Sequence, residues 1–412
     1  MINAGDKNII RELAKTHMEL ASLDINKERI KRIRDMNGLN PVRPPVWIYE
    51  IPWHEMDVEG QLSLKCEGEK AREIEQFFRR SQFQWRYFQA DMVMEDTYYI
   101  MKSFNYIGHG VDVEEETITL DEKNTVISHH YKDQLDTDEK VESLVMPTIT
   151  VNLEADRRNL EFYQDIFHDM IPVKLRGYYV GHGPWDEISW LRGVEPALID
   201  IMDRPEFVHR LVEKLMQIGI SKFTQMEEQG LLDYNIHDLH CTPPYTDELP
   251  APDYDGGSIR LKDVWCHAYA QMFSTVSPDM HEEFDIQYNR KLMEKCGLVY
   301  YGCCEPLDNK ISLLKKIPNL RKIGVSPWAN VRICAEQIGG DYVLARKPNP
   351  SYIVDGFNPE TVKNEIKETI EICLENKCPY EFVLKDISTV SYKPQNLFEW
   401  NRVVQETIDR YY

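Results

Sequence analysis

Short apolar runs alternate with amphipathic helical stretches through most of the chain after Met146. The apolar runs are Leu175–Val180, Tyr234–Leu239, Leu298–Tyr301, Lys322–Val325, Tyr342–Ala345 and Glu381–Leu384. Apolar residues at helical spacing predict helices at Pro205–Glu228, Asp279–Cys296 and Pro359–Asn376. Strands that alternate with helices build a parallel sheet with helical crossovers. The pattern therefore predicts an α/β fold, and the number of units favours a closed (β/α)8 TIM barrel over an open sheet.

The first 145 residues follow a less regular pattern. Residues 1–40 have apolar positions at helical spacing, which predicts an N-terminal helical extension, and Val46–Tyr49 has the composition of a strand. The segment of about residues 60–145 mixes helical and strand signals. We expect one TIM-barrel domain over residues 41–412, with an insertion-rich elaboration at about 60–145.

Composition excludes several classes of function. The formal net charge of −21 argues against nucleic-acid binding, which needs a basic face. No apolar run approaches the roughly 20 residues that span a bilayer, and residues 1–20 are too charged for a secretory signal. Nine cysteines, an odd number, suit a reducing cytoplasm. No glycine-rich phosphate loop follows a predicted strand, so a nucleotide site is not expected. The oligomeric state stays open.

Polar residues that can bind metals or transfer protons are concentrated at the ends of two predicted strands and in the loop between them. These residues are Asp238, His240, Cys266, Cys303, Cys304 and Glu305. The carboxyl ends of barrel strands meet at one face, where TIM-barrel active sites lie. A mixed set of sulfur, nitrogen and oxygen donors suits Zn²⁺, and three ligands with an open fourth position form a catalytic site. Each residue has a structural alternative, as an apolar core thiol or as a group that bonds the backbone.

Five ordered motifs resemble the uroporphyrinogen decarboxylase superfamily, which includes zinc- and corrinoid-dependent methyltransferases. The matching segments are Arg43–Trp47, Gly183–Asp186, Leu191–Glu195, Asp203–His209 and Val276–Phe284. True decarboxylases of this family carry an arginine-rich segment after the first strand. The corresponding stretch here, residues 48–54, contains Glu50 and no arginine. The resemblance therefore implies a methyltransferase of the type that demethylates small substrates.

The same resemblance implies a ligand set and a partner. The thiol-methylating branch has His-x-Cys where this chain has Tyr301-Gly-Cys303, and a further cysteine where it has Asp386. Substrate-demethylating members instead use an aspartate and two separated cysteines, a pattern similar to Asp238, Cys266 and Cys303. His240 and Cys304 are the alternates. The implied reaction moves a methyl group from a methoxylated or methylamine-type donor to the Co(I) of a corrinoid protein, with zinc activating the leaving group.

Further residues are candidates for catalysis and substrate binding. Glu305 is a candidate acid for the leaving group, and Asp91 and Glu95 are similar in placement to an acidic position of the family. The candidate substrate-binding residues are Trp47, Trp185, Tyr301 and Trp328. Two other functions stay open: a metal-independent lyase on the same fold, and a non-enzymatic module that binds a metal or a corrinoid.

Overall fold

The chain combines α-helices with a parallel β-sheet. The computed structural model describes residues 2–88, 90–119, 123–124, 126–167, 169–354 and 356–412. The helices are α1 Ala4–Ala21, α2 Ile25–Asn37, α3 Glu69–Tyr87, α4 Asp138–Ser143, α5 Leu153–Phe167, α6 Pro184–Arg192, α7 Val194–Asp203, α8 Pro205–Glu228, α9 Pro278–His281, α10 Gln287–Met293, α11 Ile311–Leu314, α12 Val331–Ile338, α13 Pro359–Glu375 and α14 Gln395–Ile408. The strands are β1 Val46–Ile48, β2 Tyr98–Met101, β3 Phe104–Ile107, β4 Glu115–Ile118, β5 Ser128–Tyr131, β6 Thr148–Val151, β7 Val173–Arg176, β8 Val180–His182, β9 Trp265–Ala268, β10 Leu298–Tyr301, β11 Leu320–Val325, β12 Val343–Arg346 and β13 Tyr380–Leu384.

The main sheet has seven parallel strands in the described residues, in the order β1-β13-β12-β11-β10-β9-β8. Helices cover its outer face, so its strands are buried on both sides. This curled sheet confirms the prediction of an α/β fold of TIM-barrel type, with seven strands in the sheet instead of the eight of a closed barrel. Strands β2 and β7 pair separately in parallel, while β3 with β6 and β4 with β5 form antiparallel pairs within or beside the elaboration.

The predicted strand Tyr234–Leu239 is an irregular segment that leads into a turn at Leu239–Thr242, which corrects the sequence analysis. The backbone has positive φ at His240 (44°) and Cys241 (72°). This reversal lets Leu239 and Thr242 exchange backbone hydrogen bonds of 2.8 and 3.3 Å. A left-handed conformation at two successive residues cannot continue a strand. The apolar residues of this run pack into the sheet interior without joining the sheet.

Side chains alternate strictly between the interior of the sheet and its helical layer. Trp265 on β9 packs inside with Tyr300 on β10 and Ala345 on β12. Their neighbours Cys266 and Val299 pack outside among the helices. The register pairs Cys266 with Val299, so the two outward positions coincide. This period of two decides which strand-end residues can reach the interior.

The N-terminal helices form a second, smaller core beside the sheet. Asn3 caps α1 by accepting the N–H of Asp6 at 2.8 Å. Ile10 of α1 packs against Phe78 of α3 and Phe167 of α5 in this core. The long helix α3 therefore lies between the N-terminal helices and the carboxyl end of β1. No helix in the described part of the chain is long and apolar enough to cross a membrane.

Candidate active site

Cys303 is held in a rigid loop that follows β10. Gly302, directly after the strand, has φ of 106°, a conformation that side chains rarely adopt. A Cβ there would also lie 2.6 Å from Leu307 Cδ1. The Glu305 carboxylate accepts the backbone N–H of Cys303 at 2.9 Å and of Ala270 at 3.1 Å. These bonds tie the loop to the end of β9 and direct the buried Cys303 side chain towards the interior.

Five residues meet around Cys303, and we call them the thiol cluster: His240, Cys303, Cys304, Lys347 and Lys385. His240 Nε2 lies 3.0 Å from Cys303 Sγ, and Cys304 Sγ lies 3.6 Å from the same sulfur. Lys385 Nζ donates to Cys303 Sγ at 3.3 Å and contacts Cys304 Sγ at 3.8 Å. Lys347 Nζ donates to the backbone carbonyl of Cys303. Two cations and an imidazole therefore surround one buried sulfur.

The surroundings of Cys303 favour its ionised form. A hydrogen bond from Cys304, the charges of Lys347 and Lys385, and the contact with His240 together hold the pKa of Cys303 well below its usual range, against the opposing effect of burial. The same hydrogen bond raises the pKa of the Cys304 thiol, which keeps its proton. Burial alone would lower the pKa of both lysines, but the surrounding anionic groups, Cys303 among them, raise it. These contacts favour a Cys303 thiolate beside two ammonium groups.

His240 is fixed by stacking as well as by its strained backbone. Its ring lies 4.4 Å from the ring of His267 and 5.5 Å from that of Tyr269, measured between centroids. His267 lies 3.1 Å from the carbonyl oxygen of Gly302, and burial holds the pKa of His267 well below its usual value, so this ring is neutral. Left-handed backbone at a residue other than glycine costs free energy and is concentrated at functional sites. His240 combines such a backbone with contact to the thiolate.

Two half-buried carboxyl groups, Asp186 and Asp238, lie close to the cluster. Burial raises the pKa of Asp186 to about 7, although Gln271 donates a hydrogen bond of 2.7 Å to it. Burial also raises the pKa of Asp238, against the opposing charges of His237 and His240. Each group can therefore carry a proton under conditions in which an exposed carboxylate would not.

A cavity of about 620 Å³ opens between α3, the end of β1 and the turn that contains Asp238. Aromatic side chains form much of its wall: Trp47, Tyr49, Trp53 and Phe77. Asp238 and Glu50 lie where the cavity approaches the thiol cluster. Glu50 Oε2 accepts the backbone N–H of Asp386 at 2.8 Å, and Asp386 Oδ2 lies 3.5 Å from Cys304 Sγ. This volume is within the range of small-molecule sites.

The structure brings some of the predicted site residues together. Cys303 is in contact with the alternates His240 and Cys304. Asp238 lines the cavity beside Trp47 and Glu95. The carboxylate of Glu95 receives two hydrogen bonds from Arg176, at 3.0 and 2.5 Å, so its charge is neutralised in the cavity wall.

The predicted ligand set Asp238, Cys266 and Cys303 is not assembled. Cys266 lies in β9, where the alternation of the strand turns its side chain outward, among core residues of the helical layer. Burial and a hydrogen bond to Cys296 raise the pKa of Cys266 well above its usual value. It is an inert core thiol in this arrangement.

Four further predicted site residues do not line the cavity. Tyr301 faces the helices, where its hydroxyl bonds His281 at 2.7 Å. Trp185 is fully buried and donates its indole N–H to the carbonyl of Phe284 at 2.9 Å. Asp91 accepts the N–H of Val46 at 2.8 Å at the start of β1 and pairs with Arg32, and it does not line the cavity. Glu305, predicted as a catalytic acid, instead holds the loop of Cys303 through the two backbone bonds described above.

Trp328 was predicted to contact substrate, and its side chain is 72% exposed in the loop after β11. The side chains that line the cavity do not include it. An exposed aromatic side chain on a loop at the carboxyl end of the strands is better placed to meet a second molecule at the surface than a substrate in the cavity.

A zinc ion at Cys303 would need several donors arranged around it in a tetrahedron. The sulfur separation of 3.6 Å is close to the roughly 3.8 Å expected for two thiolates on one tetrahedral zinc. However, the Lys385 ammonium group already contacts both sulfurs and would repel a dication. Among the described residues, no group of three or more His, Cys, Asp or Glu side chains is arranged to hold a metal ion. The donors as arranged do not fit zinc, and the lysines supply the positive charge instead.

The sequence analysis missed Lys347, Lys385 and Asp186. Each lysine lies two residues beyond an inward-facing strand residue, Ala345 on β12 and Val383 on β13. The alternation of a strand therefore predicts that both side chains continue the interior face. That signal was present in the sequence. Asp186 lies within a motif quoted for the family resemblance, but nothing in its local sequence indicates its burial.

Comparisons with known proteins give little further information. No family model matches the chain, and no curated protein matches it. Among solved structures, a methyltransferase from Methanosarcina mazei is 13% identical, with 93% of this chain and 99% of that chain covered and a TM-score of 0.49. A similarity this distant carries no argument about activity.

Proposed function

We propose that this chain is a methyltransferase that takes a methyl group from a small donor in the aromatic cavity and passes it to the Co(I) of a corrinoid protein. The observation that carries the proposal is the buried Cys303 sulfur, to which Lys385 donates at 3.3 Å, near a cavity of about 620 Å³ whose lining includes Asp238 and Glu50 but not Cys303 itself. A thiolate is a strong nucleophile for carbon, and the hydrogen bond from Cys304 and the neighbouring cations favour the ionised form against the opposing effect of burial. The family resemblance of the sequence motifs supports the same reaction class.

In the proposed reaction, Cys303 is the first acceptor of the methyl group. Its sulfur forms a bond to the methyl carbon while the bond from that carbon to oxygen or nitrogen breaks. The bonding electrons leave with the oxygen or nitrogen. Asp238 lines the cavity and has a raised pKa, so it is placed to give the departing atom a proton. Solvent then returns a proton to Asp238.

In the second step Cys303 loses the methyl group to the acceptor. The electron pair of the sulfur–carbon bond returns to sulfur, and Lys347 and Lys385 stabilise the restored thiolate. Co(I) supplies the electron pair for the new bond to carbon. The corrinoid protein must dock over the carboxyl ends of the strands, near Trp328, and then leave, so a small and weakly bound interface is expected.

The test is a methyl-transfer assay with methoxylated aromatics and methylamines. We expect purified protein to methylate Co(I) cobalamin with at least one donor. The loss of the Co(I) absorbance measures this reaction. Transfer to a cognate corrinoid protein should be faster. With a net charge of −21 on this chain, that advantage should shrink as salt rises if the partner is basic.

The matched control for this assay is Cys266→Ala, which removes a thiol of the helical layer. That variant should keep its activity, at a cost in stability of about 1–2 kcal/mol for the small cavity created. Equal rates with free and protein-bound cobalamin at low salt would exclude a dedicated partner. No transfer from any donor, with a folded protein and fully reduced cobalamin, would contradict the proposed reaction.

Zinc is left out of the proposed steps because the donors do not fit it, and metal analysis tests that choice. We expect purified protein to hold much less than one zinc per chain, and its activity to survive treatment with a chelator. One zinc per chain in the parent protein, lost in Cys303→Ala but kept in Cys266→Ala, would mean that the thiol cluster rearranges around a metal. The proposed role of Lys385 would then be wrong.

A metal-independent lyase is the second candidate, and the lysine pair favours it. Two ammonium groups at the carboxyl ends of β12 and β13 are suited to hold a carboxylate that leaves as carbon dioxide. This reaction is the less favoured of the two because it would leave the Cys303 sulfur without a role. Release of carbon dioxide from a carboxylate substrate, unchanged in Cys303→Ala, would favour the lyase.

A further inference from the structure

Arg80 lines the aromatic cavity and a smaller neighbouring cavity, and no carboxylate among the described residues is within ion-pair distance of it. Its guanidinium group lies over the ring of Trp53, 5.1 Å from the centroid. Burial lowers the pKa of Arg80, and no neighbouring charge opposes this effect. The adjacent Arg79 differs, since it pairs with Glu75 at 2.7 Å. Arg80 therefore places in the cavity wall a positive charge that no carboxylate among the described residues neutralises.

Helix α3 directs a defined stripe of side chains into this cavity. Gln76, Arg80 and Gln84 are spaced four residues apart and therefore share one helix face. Phe77 and Ser81 lie beside them on the same side. The stripe places one cation among uncharged hydrogen-bonding groups and an aromatic ring. This combination is typical of a site that recognises a planar ligand with a polar end.

The other charges in the cavity wall are either neutralised or lie elsewhere along it. Glu95 is paired with Arg176, and Glu73 is paired with Lys70 at 2.6 Å. His17 is neutral because burial lowers its pKa. The remaining carboxyl groups, Glu50 and Asp238, border the thiol cluster instead of α3. The cavity is therefore cationic along α3 and acidic at its inner end.

We infer that the cavity binds a small planar carboxylate, with its anionic group on Arg80 and its ring against the aromatic wall. A guanidinium presents parallel N–H donors that match a carboxylate in a two-bond pair. The ring of Trp53 lies against a face of the guanidinium group, whereas a carboxylate would bind at its edge. The inference rests on the proposed function in one respect, since it makes the methyl donor an anionic aromatic compound and disfavours methylammonium donors.

Binding of simple probes tests this inference without any catalytic step. Benzoate, benzyl alcohol and benzylammonium share one ring and differ in charge, and titration calorimetry measures the affinity of each. We expect benzoate to bind most tightly. Arg80→Gln should weaken benzoate binding at least about tenfold and leave benzyl alcohol unchanged, because the lost interaction is a charge-assisted hydrogen-bond pair. Arg80→Lys should bind benzoate with an affinity between those of the parent and Arg80→Gln, since lysine keeps the positive charge but lacks the paired N–H donors.

The control is Arg86→Gln on the same helix. Arg86 is exposed, lies outside the cavity and stacks on Tyr87 at 5.4 Å. This variant should bind benzoate as the parent protein does. Circular dichroism would confirm that both variants are folded. Tighter binding of benzylammonium, benzoate binding within twofold of the parent in Arg80→Gln, or no binding of any probe would overturn the inference.

The outcome can be separated from that of the proposed function. If benzoate binds through Arg80 but a methoxylated benzoate gives no methyl transfer, the binding site stands and the proposed reaction fails. If methyl transfer occurs from methylamines and Arg80→Gln does not change it, the reaction stands and the assigned donor class is wrong.

Discussion

Replacement of Cys303 by alanine is expected to lower the rate of methyl transfer at least about a thousandfold while the protein remains folded. Removal of a nucleophile prevents a reaction step altogether, and the resulting decrease in rate is commonly of this size. The fold should survive because Cys303 lies in a loop that is held by the Glu305 carboxylate through backbone groups, which the substitution leaves intact. Initial rates with excess donor and Co(I) acceptor measure the effect.

Two variants separate chemistry from packing in this experiment. Cys304→Ala removes the neighbouring thiol but leaves both lysines, so it should reduce the rate far less than Cys303→Ala. Lys385→Met removes the ammonium group 3.3 Å from the sulfur. That cation stabilises the thiolate, so its loss should raise the pKa of Cys303 and move the activity profile about one to two pH units higher. More than a tenth of the parent activity in Cys303→Ala would show that this sulfur is not the methyl acceptor.

The fold was largely predictable because local periodicity and burial agree over long segments. The helix Pro205–Glu228 was predicted with the bounds of α8, and the runs at 298–301 and 322–325 coincide with β10 and with most of β11. Strands covered on both faces are continuous apolar runs, and these are easily recognised between amphipathic helices. The run Tyr234–Leu239 is apolar for another reason. Its side chains pack against the interior face of the sheet, but its backbone does not pair as a strand.

The thiol cluster was only partly predictable. The importance of Cys303 follows from its position after a buried strand. Cys266 was expected in a loop, whereas β9 begins at Trp265 and places Cys266 on the outer face, away from Cys303. Which face a residue occupies depends on the pairing register of its strand, since a shift of one residue in that register exchanges the two faces. Sequence pattern alone does not fix that register.

Contacts between distant segments account for the rest. His240 reaches Cys303 across 63 positions of the chain, and Lys385 reaches it across 82. The unpaired state of Arg80 likewise depends on where every nearby carboxylate lies in space. A residue type and a spacing can suggest that such groups converge, but only the folded chain shows which of them lack a partner.

The backbone that carries Asp238 and His240 depends on a glycine far from both in sequence. Gly177 lies between β7 and β8, where Tyr178 forms a parallel bridge with Leu232. A Cβ on Gly177 would lie 2.3 Å from the carbonyl oxygen of Leu231 and 2.6 Å from that of Leu232. The Leu231 oxygen also accepts the N–H of Tyr178 at 2.9 Å, so it cannot move aside without breaking that bond. Only glycine permits this approach of two backbone segments.

Gly177→Ala is therefore expected to destabilise the protein by about 3 kcal/mol or more, since overpacking against backbone relaxes poorly. Urea unfolding measures the change, and the midpoint should fall well below that of the parent protein. Gly340→Ala is the matched control, because a Cβ there meets its nearest atom, the carbonyl oxygen of Lys377, at 3.6 Å. That exposed substitution should change the free energy of unfolding by no more than about 0.5 kcal/mol. Similar midpoints for the two variants would mean that the Leu231–Leu232 segment can move, and that the turn carrying Asp238 and His240 is not fixed from this side.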